Sequence, residues 1–159
     1  MFFLVPLLIL VLVGTACALV GYGGGRTADW CVGRVELPVA LRGFAALAGA
    51  VAAAVYAWGL LYVGGAVLEA EDGGASSSPI LPCRVDERAV HVNDYSVSFL
   101  PLDFVCETND GGSYRTEEVP GYVTPAAVGL ALAAAGLAVS SGYVSELRLR
   151  AAAREGGTG

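Results

Sequence analysis

The sequence predicts an α-helical membrane protein with three transmembrane helices and a small disulfide-bridged β-hairpin domain on the extracytoplasmic side. Two observations favour this fold class. Of the 159 residues, 55% are hydrophobic and 15% are charged, with a mean hydropathy of +0.63, whereas ordinary soluble domains carry about 25% charged residues. In addition, three apolar stretches are long enough to cross a bilayer as helices, and every charged residue lies outside them.

The three predicted spans are residues 1–20, 43–67 and 123–144. A bilayer core of about 30 Å requires about 20 apolar residues in helical conformation, and each stretch meets that length. Residues 1–20 also admit a reading as a signal peptide, but such peptides begin with positive residues and "MFFLVP" has none. An uncleaved first span is therefore favoured, with Gly21–Arg26 as a flexible exit from it.

The arginines decide the predicted orientation, because short loops rich in positive charge stay in the cytoplasm. The loop at 21–42 and the tail at 145–159 hold three arginines each. The segment 68–122 holds three arginines against eleven acidic residues, a net charge of 3 − 11 = −8. We therefore predict a multi-pass protein of the cell membrane with its N-terminus outside and its C-terminus in the cytoplasm.

The outer segment 68–122 predicts a β mini-domain that follows an acidic, Gly/Ser-rich linker, "EAEDGGASSSP". In "RAVHVNDYSVSF" the pair Asn93-Asp94 is suited to a two-residue turn between two short strands. In a second predicted hairpin "NDGG" forms the turn, so that Phe104–Thr108 pairs with Ser113–Glu117. Two hairpins make a very small core, and such a domain needs a covalent crosslink to be stable.

Cys83 and Cys106 are the predicted crosslink, because both lie in the segment assigned to the oxidising side of the membrane. The remaining cysteines, Cys17 and Cys31, lie in or near the first span. No C-x-x-C spacing occurs in the chain, and thiol oxidoreductases commonly use that spacing to lower a thiol pKa. A structural disulfide with two reduced thiols is therefore favoured over redox catalysis.

One segment resembles a known group of proteins. "PLDFVCETNDGGSYRTEEVPGYVTP", residues 101–125, contains a cysteine two residues after a phenylalanine, a "DGGSY" turn and a "VPGYV" entry to the last apolar stretch. It resembles the outer loop of small three-span integral membrane proteins of high-GC bacteria, a family of unknown function. The resemblance implies the three-span architecture and no particular chemistry.

Candidate chemistry in the sequence is sparse. His91 is the single histidine, with Glu87 and Asp94 nearby, but one histidine with scattered carboxylates lacks the ligand spacing of a zinc site. The Gly-rich "GYGGGR" at Gly21–Arg26 lacks the G-K-[ST] ending of a phosphate-binding loop. The net charge of −6 also argues against nucleic-acid binding. We therefore predict no catalytic residue, metal or cofactor.

The predicted function is that of a non-enzymatic accessory or interaction subunit in a cell-envelope complex. Its partners would be the lipid bilayer and a membrane protein, or further copies of the chain. Small residues at helical spacing favour close helix packing in lipid, and aromatic residues in the outer segment are candidates for partner contact. An oligomeric small channel or transport component is the alternative. The predicted packing residues are Ala46, Ala50, Ala53, Ala57, Gly129, Ala133, Gly136 and Ser140; the contact candidates are Tyr95, Phe99, Phe104 and Tyr114.

Overall fold

The computed structural model describes residues 3–72, 83, 92–116 and 119–156. Three long apolar helices and a small antiparallel sheet with a disulfide are present, which agrees with the predicted fold class to that extent. All three helices are long and apolar enough to cross a membrane. In chain order the elements are α1 (Leu4–Cys31), α2 (Leu37–Asp72), β1 (Val92–Phe99), β2 (Leu102–Thr108), β3 (Ser113–Arg115) and α3 (Val123–Gly156).

The first helix continues through Gly21–Arg26, so the prediction of a flexible exit there is wrong. The reason is a close approach between α1 and α2. A Cβ atom placed on Gly23 would lie 2.7 Å from the backbone oxygen of Gly43 and 2.9 Å from Cγ of Leu47. The glycine therefore lets two helix backbones touch, which is the use that membrane helices make of small residues.

The sheet is a three-stranded antiparallel meander in the order β1-β2-β3. Its β2–β3 hairpin confirms the presence of the second predicted hairpin, but the pairing is shifted by one residue, since Glu107 rather than Thr108 lies opposite Ser113. Cys106 lies opposite Tyr114, and the turn includes Gly111 at a φ of 75°. Glycine is suited to that position because it has no Cβ to clash in the left-handed region. Glu117, at the predicted end of this hairpin, lies outside the described residues.

The first predicted hairpin is wrong. Asn93 and Asp94 lie inside β1, at a register shift, and β1 pairs along β2 through a turn at Leu100-Pro101. Two-residue hairpin turns of type I′ need positive φ at both central residues, and Asn-Asp offers no glycine for this. Pairing with β2 instead gives β1 a partner from Val92 to Phe99. The expected partner strand around His91 lies outside the described residues.

The chain divides into two compact units. The sheet unit comprises Met1–Leu12 and Val55–Ala126, and the helical unit comprises Val13–Ala54 and Ala127–Gly159. In the sheet unit, apolar residues of β2 share one buried cluster with the C-terminal half of α2 and the start of α3. This cluster includes Leu60, Val63, Val67, Leu102, Phe104 and Val123. The apolar face of the sheet is therefore covered by α2 and α3.

The helical unit is held by small residues and by polar contacts near the start of α2. Gly49 would place a Cβ 3.5 Å from Leu19 of α1 and 3.9 Å from Ala134 of α3. Arg42 Nε donates a 3.4 Å hydrogen bond to the buried Ser141 hydroxyl. Arg148 forms an ion pair with Glu36, so charged groups of α3 and of the α1–α2 connection meet within this unit.

Candidate functional site

The disulfide between Cys83 and Cys106 is present as predicted. Its Cα atoms are 6.0 Å apart, and both side chains are fully buried in the core of the sheet unit. Cys106 lies on the central strand opposite Tyr114, and the Tyr114 hydroxyl donates a 2.6 Å hydrogen bond to the Cys83 carbonyl. Cys83 is thus fixed to the sheet by a covalent bond and by a hydrogen bond.

The four aromatic contact candidates are integrated into this core. Phe104 has no exposed surface, so it contributes to packing rather than to a contact surface. Tyr95 stacks on Phe104 at a ring-centroid distance of 5.1 Å. Phe99 and Tyr114 are half-buried, and both pack against the same cluster. Partner contact through the three half-buried residues stays a prediction.

Two helix side chains hold the turn between β1 and β2. The Tyr56 hydroxyl of α2 donates a 2.7 Å hydrogen bond to the Phe99 carbonyl. The Leu102 amide donates a 3.0 Å hydrogen bond to Oγ1 of Thr124, in the first turn of α3. We call these two bonds the turn clamp.

Gly59 of α2 lies close to both β2 and α3. A Cβ atom on this glycine would meet Val123 Cγ1 at 2.5 Å and Leu102 Cδ2 at 2.7 Å. Sequence reasoning missed this glycine and both side chains of the turn clamp. Tyr56 did carry a usable signal, because a tyrosine within an apolar span needs a hydrogen-bond partner.

Asp103 is a partly buried acidic residue on β2. Its side chain is 17% exposed, and its Oδ2 lies 3.7 Å from Nε of Arg115 on β3. Burial raises the pKa of Asp103, and the positive charge of Arg115 opposes that rise. Within the described part of the chain, no three histidine, cysteine or carboxylate side chains converge as a metal site would require. His91, Glu117 and Glu118 lie outside that part.

Comparison with family models, curated proteins and solved structures gave no match. The resemblance of residues 101–125 to small membrane proteins of high-GC bacteria therefore stays a prediction.

The two predicted stripes of small residues differ in their surroundings. On α2, Ala46, Ala50 and Ala57 are buried and Ala53 is half-buried, so this stripe packs within the chain. On α3 all members are exposed, and a Cβ on either of its glycines would meet no atom within 4 Å. The Ser140 hydroxyl donates to the Gly136 carbonyl of its own helix. The exposed α3 stripe is Gly129, Ala133, Gly136 and Ser140.

A groove of about 510 Å³ lies between the N-terminal part of α1 and the C-terminal half of α2. Its lining is apolar and includes Phe3, Ile9, Leu61 and Gly64. Such a lining offers no hydrogen-bonding side chain to orient a polar ligand. The groove therefore adds to the apolar surface of the helices and has no catalytic group.

Proposed function

We propose that the chain is a non-enzymatic integral membrane protein that serves as an accessory or interaction subunit of a cell-envelope complex. The observation that carries this proposal is the exposed α3 stripe. Small residues at membrane helix interfaces allow backbones to approach closely, and van der Waals packing then drives association. The α2 stripe has such a partner within the chain, whereas the α3 stripe offers the same kind of surface to a second protein.

The proposed orientation places the N-terminus and the sheet outside and the C-terminus in the cytoplasm. Three features support it. The arginines of 21–42 and 145–159 suit the cytoplasmic side, and the ion pair between Glu36 and Arg148 brings these two segments together. The Cys83–Cys106 disulfide suits an oxidising compartment.

The orientation predicts which cysteines react with a membrane-impermeant thiol reagent. Cys31 is a free, exposed cysteine at the end of α1, and the proposal puts it in the cytoplasm. Intact cells should give no labelling of Cys31, and permeabilised cells should give labelling. Cys83 and Cys106 should react on intact cells only after reduction. Labelling of Cys31 on intact cells would contradict the orientation.

The α3 stripe predicts that Gly136→Leu removes a partner that the wild-type chain retains. A tagged chain purified from its native host in mild detergent, followed by mass spectrometry, should recover a companion membrane protein in stoichiometric amount. In Gly136→Leu the leucine fills the space that the companion helix needs, so recovery should fall at least about tenfold, a change of 1.4 kcal/mol in binding.

Gly142→Leu is the matched control for this experiment. Gly142 is also an exposed α3 glycine whose Cβ would meet nothing within 4 Å, but it lies about 120° away from Gly136 around the helix. Both variants gain the same helix propensity and the same apolar volume. Equal recovery of the companion from the two variants would contradict a contact through the stripe.

The same stripe also suits association between copies of the chain, which is why an oligomeric channel or transport component stays the second candidate. Recovery of the chain alone as a defined homo-oligomer that Gly136→Leu dissociates would favour this candidate. Flux of ions or small solutes from liposomes that contain the purified chain would then separate a channel from a homo-oligomer without transport activity.

A further inference from the structure

The two turns of the sheet have opposite character. The β1–β2 turn belongs to the apolar run Phe99–Leu102, and within it Leu100 is 77% exposed and Pro101 is also exposed. The β2–β3 turn follows Thr108 and consists of exposed polar and glycine residues, "NDGG". Because the turns lie at opposite ends of β2, the sheet has one apolar tip and one polar tip.

Exposed aromatic residues on α2 and just before α3 give a reference for the depth of the apolar tip along the membrane normal. Trp58 and Tyr62 are exposed on α2, with their rings in edge contact at 5.8 Å, and Tyr122 is exposed just before α3. Exposed tryptophan and tyrosine are enriched at the membrane–water interface. Trp58 and Tyr62 lie in the outer half of the predicted span 43–67, and Tyr122 directly precedes the predicted span 123–144. We call these three residues the outer belt.

The turn clamp holds the tip on the hydrocarbon side of the outer belt. In the proposed orientation α2 runs outward, so Tyr56 lies about 3 Å deeper along the helix axis than Trp58. Helix α3 runs inward, so Thr124 likewise lies deeper than Tyr122.

The clamp also pairs two backbone groups at the turn, as a lipid environment requires. Backbone N–H and C=O groups have no water to bind in the hydrocarbon region, so irregular backbone is tolerated there only where protein groups pair with it. The Phe99 carbonyl is paired with Tyr56 and the Leu102 amide with Thr124. Pro101 has no backbone N–H to satisfy.

We propose that the β1–β2 turn is inserted into the outer leaflet, with Leu100 and Pro101 in contact with lipid acyl chains. The inference rests on the proposed membrane location and deepens it. The apolar tip of the sheet then lies in the lipid, and its polar tip at Asn109–Gly112 lies in water.

Bromine quenching of tryptophan fluorescence tests this placement in vesicles. The full chain, with Trp30→Phe and Trp58→Phe, is reconstituted into phosphatidylcholine whose acyl chains are brominated, and one tryptophan is introduced at a time. Leu100→Trp probes the apolar tip, Asp110→Trp probes the polar tip, and Leu132→Trp probes the exposed face of α3, where Leu132 is 68% exposed. Pro101→Trp replaces Leu100→Trp if that variant fails to fold.

The expected result is blue-shifted, strongly quenched emission from the Leu100→Trp and Leu132→Trp variants and unquenched emission from Asp110→Trp. Quenching in Leu132→Trp without quenching in Leu100→Trp would overturn the insertion of the tip and leave the membrane location intact. Blue-shifted but unquenched emission from Leu100→Trp would mean that protein rather than lipid covers the turn, which also overturns the inference. Absence of quenching in Leu132→Trp would contradict the membrane location itself.

Discussion

Cys83→Ala and Cys106→Ala are each expected to lower the free energy of unfolding by about 3 kcal/mol, because the bridge closes a loop between residues 23 apart. The expectation follows from chain entropy, since a crosslink restricts the unfolded chain more than the folded one. Alanine is preferred to serine because both side chains are fully buried, and a buried hydroxyl would add its own cost. Thermal unfolding in mild detergent measures the change.

The double variant Cys83→Ala, Cys106→Ala should be no less stable than either single variant beyond the loss of one more buried sulfur. Residues that act through one shared bond are not additive. Cys31→Ala is the control, because Cys31 is free and exposed, and it should leave the unfolding midpoint unchanged. A double variant twice as destabilised as the single ones would show that the cysteines act separately.

Gly59→Ala is expected to be about 2 kcal/mol less stable than Gly65→Ala, since overpacking a closed contact typically costs 1–3 kcal/mol. The added methyl group would meet Val123 Cγ1 at 2.5 Å and Leu102 Cδ2 at 2.7 Å, and both neighbours are buried. Gly65 lies on the same helix, and a Cβ there meets nothing within 4 Å. Both variants gain the same helix propensity, so their difference isolates the contact.

A rescue variant tests whether the contact with Val123 causes the loss. Val123→Ala removes the atom nearest to the new methyl group, so adding it to Gly59→Ala should cost less than Val123→Ala costs in the wild type. The comparison of the four unfolding midpoints forms a double-mutant cycle. Strict additivity would mean that Gly59→Ala acts through Leu102 or through the backbone instead.

The features that sequence predicted correctly depend on local information. An apolar stretch of bilayer length is visible without knowing its neighbours, and "NDGG" contains the glycine that its turn requires. The Cys83–Cys106 pairing followed from the predicted compartment, since the other two cysteines fell on or near a span. Each of these inferences needed only the residues in the segment itself and its place between the arginines.

The features that sequence did not predict depend on which faces meet. The strand pattern places Phe104 at a contact surface only if the sheet is a separate domain, whereas α2 and α3 cover the apolar face of the sheet. A Gly-rich segment such as Gly21–Arg26 indicates flexibility when taken alone, because the residue against which Gly23 packs, Gly43, lies on another helix. No turn forms at Asn93-Asp94, because β1 pairs with β2 instead. Long-range packing decided all three cases, and no pattern within one segment encodes it.

The shared core of the sheet unit has a consequence for biosynthesis. The cluster around Phe104 includes Val123, the first residue of α3, as well as residues from α2. Helix α2 is synthesised before β2, and α3 is synthesised after it. Until α3 is present, the apolar face of β2, which includes Cys106, is therefore only partly covered. The sheet and its cysteines therefore have their native surroundings only when α3 is packed beside Gly59, so the sheet unit can complete its folding only after the last helix has been synthesised.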